Sequence, residues 1–340
     1  MSPRNRILTG EALAELKRLP TGQVDTIVTS PPYFNLRDYG VSGQIGQEAH
    51  VDQWVEALRG VIGECHRVLA PHGSLWLNLG DSYSAHPRYG AARKSLLLGP
   101  ERLALALTGD GWLLRNKIIW AKTNPLPSHV RDRLTNGHEY LYLLTKRASY
   151  FFDLDSIRVP LTSGPRKPSS GTMTPLHALG ALSGSRGGLK RMNQEGRSGH
   201  PLGKNPSDVW RFGSASYRGA HFATFPRDLI RRPIRAGCPQ RVCTRCHSPW
   251  RRSAAPVIWK DGKPQRRPLL KCGCDAPTRP GLVLDPFGGS GTVAEVARSE
   301  SRDWLLIELN PEYVQLARDR LSQGAGPDSA NSIEGSRSSV

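Results

Sequence analysis

The sequence predicts an α/β fold, a sheet connected by crossover helices, and two observations support it. Short apolar runs alternate with amphipathic helical patterns over residues 1–155. A compact strand–helix–strand–helix unit follows in residues 279–321. The long stretch between these two pieces differs from both in composition, because it is basic and rich in turn-forming residues.

The first strand that we identify is the β-branched run Val24–Thr29, which Pro31 and Pro32 stop. Residues 52–69 then carry apolar side chains at helical spacing, and Pro71-His72-Gly73 is expected to end that helix. The next predicted elements are a strand over 73–79, a helix over 101–107, and strands over 112–120 and 139–145.

The unit near the carboxyl end contains a strand, a glycine-rich turn, a helix, a second strand and a second helix. These elements are Leu282–Leu284, Asp285–Gly291, Thr292–Ser299, Trp304–Ile307 and Pro311–Leu321. Proline at the first turn of the last helix is well tolerated. Residues 322–340 are polar and rich in serine and glycine, so we expect a disordered tail.

The middle of the chain is predicted to contain a long mobile loop. Residues 160–207 hold nine glycines, seven serines, six prolines and no aromatic residue. Such a segment cannot bury enough apolar surface to offset its ordering entropy. Order is expected to return at Asp208. We therefore divide the chain into residues 1–155, 156–207, 208–239, 240–278, 279–321 and 322–340.

The positive charge of the chain is concentrated in one internal block. The formal charge is +18, and residues 156–279 contain 24 basic against 5 acidic residues, net +19. A block of this kind predicts a polyanion partner, most often nucleic acid. No apolar run is long enough to span a membrane, and the start lacks the apolar core of a secretory signal. A cytoplasmic location is therefore the expectation.

The glycine-rich turn predicts a cofactor that contains a nucleoside. Glycines let the backbone approach a ligand, and the following helix offers free N–H groups. Glu308 ends the next strand, 19 residues after Gly289, where an acid can bind the hydroxyl groups of a ribose. No P-loop lysine follows the turn. Residues 289–294 also fit a loose dinucleotide pattern, so an NAD-dependent oxidoreductase is the alternative enzyme class.

Ser30-Pro31-Pro32-Tyr33 follows a predicted strand, at the end of the sheet where α/β proteins place ligands. The prolines stiffen the loop and leave carbonyl acceptors, Ser30 adds a hydroxyl, and Tyr33 adds a ring that can stack on a base. Acceptors beside a flat ring suit the exocyclic amino group of a nucleobase.

Together these motifs resemble the S-adenosylmethionine-dependent DNA amino-methyltransferases. The catalytic motif precedes the cofactor motif, which is the order of their circularly permuted β group. Further familial segments support the resemblance: 67–76, 79–83, 118–125, 138–140, 221–229 and 308–313. The resemblance implies a Rossmann-like methyltransferase sheet with helices on both faces, a basic target-recognition insert, and double-stranded DNA as substrate.

The resemblance also implies roles for individual residues. Tyr33 would stack on a flipped base, while the Ser30 hydroxyl and the Pro31 carbonyl would accept its amino N–H bonds. Glu308 would hold the cofactor ribose. The residues implied in S-adenosylmethionine binding are Phe225, Pro226, Asp285, Pro286, Phe287, Gly289, Gly291, Thr292, Glu308 and Asn310.

The target base and the biological partner stay open at this point. Serine before Pro-Pro-Tyr favours cytosine N4, and adenine N6 is the alternative. A non-catalytic zinc-ribbon protein that binds nucleic acid is the alternative outside the enzymes, and RNA is the alternative substrate. The resemblance allows a cognate restriction endonuclease as a further partner.

Four cysteines are predicted to bind a structural zinc ion. The pairs Cys243/Cys246 and Cys272/Cys274 are separated by 25 residues, a spacing that suits tetrahedral thiolate coordination. His247 is a weaker alternative ligand. Cys238 is assigned to the parent scaffold, and residues 240–278 to an inserted ribbon whose basic groups contact DNA phosphates.

Overall fold

A computed structural model describes residues 3–161, 200–214, 226–261 and 263–323. In chain order the strands are β1 (Arg6–Thr9), β2 (Val24–Thr29), β3 (Leu69–Leu79), β4 (Leu113–Lys122), β5 (His138–Thr145), β6 (Val209–Phe212), β7 (Val242–Cys243), β8 (Arg251–Arg252), β9 (Trp259–Lys260), β10 (Lys263–Pro264), β11 (Leu269–Leu270), β12 (Thr278–Arg279), β13 (Leu282–Asp285) and β14 (Asp303–Glu308). The helices are α1 (Ala12–Lys17), α2 (Val51–Val68), α3 (Gly99–Gly109), α4 (Arg227–Gly237), α5 (Thr292–Ser299) and α6 (Pro311–Gln323).

Eight strands form one sheet in the order β1-β14-β13-β2-β3-β5-β4-β6. The neighbours from β1 to β3 pair in parallel, whereas β5 runs antiparallel between β3 and β4. All six residues of β2 are buried, as expected for a strand covered on both faces. The order places β2 next to β13, although Thr29 at the end of β2 and Asp285 at the end of β13 are 256 positions apart in the chain.

Apolar clusters cover both faces of this sheet. On one face, Leu58 and Ile62 of α2 and Leu103 of α3 pack against Leu75 and Leu77 of β3. On the other face lie α4, α5 and α6, which contribute Ile230, Ile234, Val293, Val296 and Leu321. The predicted α/β fold with helices on both faces is confirmed.

Some element boundaries differ from the prediction. The helix expected to end at Pro71–Gly73 ends at Val68, because Leu69 already pairs with Val24 and begins β3. The sequence analysis also missed β1 and α1. Both are short, and β1 is stabilised by its pairing with β14 at the edge of the sheet.

Three short hairpin ladders lie between α4 and β13. They pair β7 with β12, β8 with β11, and β9 with β10, all antiparallel. In the sequence, the β9–β10 pair lies inside the β8–β11 pair, which lies inside the β7–β12 pair. The segment therefore leaves the main domain at Cys243 and returns to it at Thr278, where β7 and β12 pair.

Several predicted segments fall partly outside the described residues. Residues 162–199 of the basic loop, 215–225 of the segment after β6, and 324–340 of the tail are among these. Within the described part, Val159 and Lys204 form a β-bridge, and residues 322–323 belong to the last turn of α6. Among the helices described, none is long and apolar enough to cross a membrane.

Candidate active site

The two predicted motifs meet at the carboxyl ends of β2 and β13. The Thr29 hydroxyl donates a buried hydrogen bond of 2.7 Å to Asp285 Oδ1. The backbone N–H of Phe287 donates to the same oxygen over 3.0 Å. Burial raises the pKa of Asp285 to about 7. Asp285 thus joins the end of the Ser-Pro-Pro-Tyr strand to the start of the glycine-rich turn.

The glycine-rich turn needs glycine at two positions. Gly289 and Gly291 have φ values of +49° and +81°, in the left-handed region where side chains are strained. A Cβ on Gly291 would also lie 3.0 Å from the Cβ of Ala317. Gly291 then caps the N-terminus of α5.

Glu308 is oriented by the backbone of this turn. Gly289 N–H donates to Glu308 Oε2 over 2.7 Å, and Asn310 N–H donates to Oε1 over 2.8 Å. Burial raises the pKa of Glu308. Each carboxylate oxygen can accept more than one hydrogen bond, so both keep acceptor capacity for a ligand.

A cavity lies in front of these groups and fits a nucleoside cofactor. Its lining brings together seven of the predicted residues: Ser30, Pro32, Pro286, Phe287, Gly289, Glu308 and Asn310. The lining also includes Tyr39, Gln44, Ile45 and Tyr313, to which the sequence assigned no role, although Tyr313 ends the familial segment 308–313. Apolar and aromatic walls with an oriented carboxylate are what a nucleoside requires. The Tyr39 and Tyr313 rings meet edge to face at 6.1 Å.

The other predicted cofactor residues of the described chain, Pro226, Asp285, Gly291 and Thr292, are not part of this lining. Thr292 opens α5, and its hydroxyl accepts a hydrogen bond of 2.9 Å from Arg320. Pro226 precedes the first residue of α4. Phe225 lies outside the described residues.

The Ser-Pro-Pro-Tyr loop is fixed by neighbouring elements. Pro31 is buried, and the indole N–H of Trp54 donates to the Pro32 carbonyl over 2.9 Å. The Pro32 carbonyl is therefore already engaged within the protein. The Tyr33 ring packs against the backbone at Gly80, where an added Cβ would lie 2.8 Å from Tyr33 Cε2.

A polar network surrounds the Tyr33 hydroxyl. It donates to Glu139 Oε2 over 2.7 Å and lies 3.3 Å from both Ser30 Oγ and Asn78 Oδ1. The ammonium group of Lys122 lies 2.6 Å from Glu139 Oε1. Burial, and next the Glu139 charge, raise the pKa of Tyr33 well above its ordinary value. Tyr33 is therefore a neutral donor at physiological pH.

The sequence analysis named Lys122 and Glu139 within familial segments and Asn78 within a strand, but assigned them no role. The sequence did contain a signal for this network, because Lys122 lies at the end of β4 and Glu139 at the start of β5. Because β5 is antiparallel to both of its neighbours, its start lies at the same edge as the ends of β3 and β4.

The four cysteines predicted to bind zinc come together. The sulfur atoms of Cys243, Cys246, Cys272 and Cys274 all lie within 4.8 Å of one another. Thiolates around a tetrahedral zinc ion, with bonds of about 2.3 Å, lie about 3.8 Å apart. The donor set and its spacing therefore fit a structural zinc ion. His247, the alternative ligand, is not part of this group.

Cys238 lies apart from the cysteine group. It is buried beside α4, and Arg302 donates a hydrogen bond to its carbonyl. Burial raises the pKa of the Cys238 thiol to about 12.

Buried ion pairs join the hairpin ladders to the rest of the protein. Arg252 contacts Asp153 over 3.1 Å, and Arg267 contacts Asp155 over 2.8 Å. Arg158 also contacts Asp155. Burial alone would raise the pKa of Asp155, but the two guanidinium groups outweigh it, so the pKa is lowered.

Comparison with known proteins identifies the family. The family model described as DNA methylase, of the N6/N4 methyltransferase type, matches residues 24–319. The chain belongs to this family. The resemblance to DNA amino-methyltransferases is thereby confirmed, and the oxidoreductase alternative is set aside.

Individual relatives of this DNA methylase support the assignment. The type II methyltransferase M.XycI of Xanthomonas campestris pv. cyanopsidis is 35% identical over 337 residues, covering 93% of this chain and 87% of the relative. The type II methyltransferase M.Cfr9I of Citrobacter freundii matches with the same identity and coverage. The solved structure of the PvuII DNA methyltransferase, described as cytosine-N4-specific, has a TM-score of 0.57 at 18% identity. It covers 98% of this chain and 89% of that protein, and it shows the shared fold.

Proposed function

We propose that this DNA methyltransferase transfers a methyl group from S-adenosylmethionine to N4 of a cytosine flipped out of double-stranded DNA. One observation carries the proposal. Ser30 lines the nucleoside cavity, and its hydroxyl lies 3.3 Å from Tyr33 Oη. The cofactor side and the base side of the site therefore meet at this residue.

S-adenosylmethionine supplies a methyl group on a positively charged sulfur. Glu308 would accept hydrogen bonds from the ribose hydroxyls, since its two oxygens are already aimed by Gly289 and Asn310. The aromatic and apolar walls would enclose the nucleoside and exclude water. Asp285 is held away from this wall by Thr29 and shapes the turn that passes the methionine part.

On the base side, Tyr33 would stack on the extruded base, and Ser30 and the Pro31 carbonyl would accept its amino N–H bonds. These bonds draw the nitrogen lone pair out of conjugation with the ring and aim it at the methyl carbon. The transfer is then a direct displacement, in which the new C–N bond forms as the C–S bond breaks. The excess proton on the nitrogen leaves through Ser30 or water. Positioning and local electrostatics supply the rate.

The choice of cytosine rests on the side chain at position 30. A serine hydroxyl is neutral and both accepts and donates, whereas an aspartate in its place would add a negative charge beside Tyr33. Family members with serine before Pro-Pro-Tyr are mostly cytosine-N4 enzymes. Adenine N6 is the alternative product at the same site.

The basic parts of the chain are assigned to DNA. We propose that residues 156–207 recognise the target sequence, and that the ribbon of residues 240–278 contacts phosphates. A zinc ion held by Cys243, Cys246, Cys272 and Cys274 would stabilise the base of the ribbon without taking part in chemistry. A restriction endonuclease that cuts the same sequence would be the matching partner.

The test is to express the protein in a host that lacks DNA methylation and to analyse its DNA. Digestion to nucleosides should yield N4-methylcytosine, and modification-sensitive sequencing should locate it in one recognition sequence. If only N6-methyladenine is found, the assignment of cytosine as the target base is wrong, and the assignment as a DNA amino-methyltransferase stands. No modified base, together with retained DNA binding, would favour the non-catalytic alternative. S-adenosylmethionine should raise the melting temperature of the protein, and NAD should not.

A further inference from the structure

The loop between β4 and β5, residues 123–137, carries two unusually exposed leucines. Leu126 is 87% exposed and Leu134 is 89% exposed, more than any other large apolar side chain of the described residues. A single exposed leucine is ordinary on a protein surface. Two on one loop offer a partner two apolar side chains to cover.

Both ends of this loop belong to the network around Tyr33. Lys122 precedes the loop, Glu139 follows it closely, and the two side chains form an ion pair of 2.6 Å. Glu139 also accepts the hydrogen bond from Tyr33. Lys122 N–H donates to the Gly137 carbonyl over 2.8 Å, which closes the base of the loop. The leucines therefore stand on the loop that begins and ends at the site proposed for the target base.

Contacts on either side hold the loop near its ends. Asn124 Oδ1 accepts from Ser214 N–H over 2.6 Å, and Tyr83 Oη donates to Asn136 Oδ1 over 3.2 Å. The Arg133 guanidinium lies 3.7 Å from the centre of the Tyr83 ring. The loop that carries the leucines is thus held in place by its neighbours. Binding a partner would therefore cost less conformational entropy than it would for a loop without these contacts.

The charge of the loop suits a polyanion. Arg131 and His129 are exposed, and Arg133 is half-buried. The acid of the loop, Asp132, is paired with Lys94 over 2.6 Å. Apolar side chains on a loop that also carries Arg131 and Arg133 match the inside of a base stack bordered by phosphates. A purely apolar partner would leave these two cations without a counter-charge.

We propose that loop 123–137 is a wedge that enters duplex DNA beside the target, where Leu126 and Leu134 fill the space that the flipped base leaves. This inference rests on the proposed function and adds the residues that make base flipping favourable. Unpairing and unstacking one base is unfavourable, and apolar side chains inserted between base steps offset that cost.

The test compares two duplexes containing the recognition sequence obtained by sequencing. In one duplex the target is normally paired, and in the other the nucleotide opposite the target is abasic, so that flipping costs less. Single-turnover methylation by wild type is compared with the double variant L126A/L134A. The matched control is Leu105→Ala, because Leu105 is 74% exposed on α3 and lies outside the loop.

We expect the double variant to methylate the paired duplex at least about tenfold more slowly, and to recover to within about twofold of wild type on the abasic duplex. It should also give a smaller fluorescence increase with 2-aminopurine at the target position. Leu105→Ala should match wild type on both duplexes.

Three results would overturn the wedge. The double variant could keep full activity on the paired duplex, or lose activity equally on both duplexes. It could also change melting temperature or sedimentation mass without DNA, which would mean that protein covers the leucines. A wild-type protein that methylates no duplex would instead refute the proposed function, and the wedge with it.

Discussion

The Tyr33 ring is oriented through its hydroxyl group as well as through its packing against Gly80. The hydroxyl donates to Glu139, whose other oxygen is held by Lys122. A carboxylate that is only partly exposed keeps this geometry because it has two strong partners. Glu139 is thus a positioning residue for the proposed stacking ring, and it would not touch the base itself.

Replacing Tyr33 by phenylalanine separates the ring from the hydroxyl. We expect Tyr33→Phe to lower kcat by about tenfold, the size of one lost charge-assisted hydrogen bond, because the ring remains but is less well oriented. Tyr33→Ala should lose nearly all activity. Affinity for S-adenosylmethionine should stay within about twofold in both variants, since other residues line the cavity.

Steady-state methylation assays measure kcat, and calorimetric titrations measure the affinity for S-adenosylmethionine. Glu139→Gln keeps the size of the side chain and weakens its bonds to Tyr33 and Lys122, so it should resemble Tyr33→Phe. If the two changes are combined, their effects should be less than additive, because they remove the same contact. Full activity of Tyr33→Phe would show that the hydroxyl network is not needed.

Asp285 makes stability depend on pH in an unusual direction. Its pKa is raised by burial to about 7, and its exposed fraction is 1%. An unfolded aspartate titrates near about 3.9, so between these values the folded state binds more protons than the unfolded state. Stability from this group is therefore greatest at low pH and falls as pH rises from about 4 through 7.

Asp285→Asn keeps an oxygen acceptor for Thr29 and Phe287 but cannot ionise. We expect the stability of the wild type, relative to this variant, to fall by about 1 kcal/mol or more between pH 5 and pH 8. Urea unfolding of both proteins across that range measures the difference, and other ionisable groups cancel in the comparison. If the difference in unfolding free energy between the two proteins stays constant, Asp285 is ionised throughout this pH range. If the wild type instead gains stability relative to the variant as pH rises, the predicted direction is wrong.

The residues that sequence reasoning missed are those whose partners are distant in the chain. Glu139 is 106 positions from Tyr33, and no local pattern pairs them. Ser30, Glu308 and the glycine turn were predictable because each lies in a short motif that directly follows a strand. The positions of Tyr39 and Ile45 in the cavity lining were not predictable, because these residues come from a loop that carries no comparable motif.

At the scale of elements, the strands and helices with strong patterns were predicted, and the short ones were not. The fully apolar β2 and the regular apolar face of α2 carry the local signal. The four-residue β1 and the six-residue α1 have little intrinsic stability, so their structure depends on β14 and the core. The contacts of Asp153 and Asp155 with the ribbon were equally invisible in the sequence.

The ribbon is expected to depend on zinc for its structure. Its ladders are only two residues long on each side, and Trp259, one of its two tryptophans, is exposed, so little apolar burial holds it together. Removing the metal with a chelator, or changing Cys272 to Ser, should therefore loosen the ribbon. Arg252 and Arg267 would then move away from Asp153 and Asp155, and these two ion pairs would break.

We expect purified protein to contain about one zinc ion per chain, since the four thiolates complete one tetrahedral site. Zinc removal should increase hydrogen exchange in residues 240–278 and near Asp153, but not in β2 or β13. Affinity for S-adenosylmethionine should be unaffected. Protein purified without chelators that holds no zinc, or exchange that rises equally everywhere, would contradict this prediction.

At the scale of the whole molecule, charge and chemistry lie in different parts of the chain. The net +19 of residues 156–279 contrasts with +3 before it and −4 after it, while the cavity and the Tyr33 network come from those flanks. Some of the basic residues are internal, since Arg252, Arg267 and Arg158 pair with buried aspartates. Lys260, Lys263 and Arg266 of the ribbon are exposed and can contact phosphates.

This division predicts that salt weakens the binding of DNA much more than the binding of S-adenosylmethionine. DNA affinity should fall steeply with salt, by about 10³-fold between 50 and 200 mM if six or more phosphates are neutralised. Affinity for S-adenosylmethionine should change little, because no lysine or arginine of the described residues lines the cavity. Fluorescence anisotropy with a labelled duplex and calorimetry with the cofactor measure the two.

The triple variant K260A/K263A/R266A should reduce the slope of log affinity against log salt by about 0.9 for each phosphate contact that it removes. The control is Lys17→Ala, which removes one exposed charge on α1, outside the basic block, and should leave the slope unchanged. An unchanged slope in the triple variant would mean that the ribbon does not contact DNA. The basic residues of 156–207 would then carry the electrostatic part of binding alone.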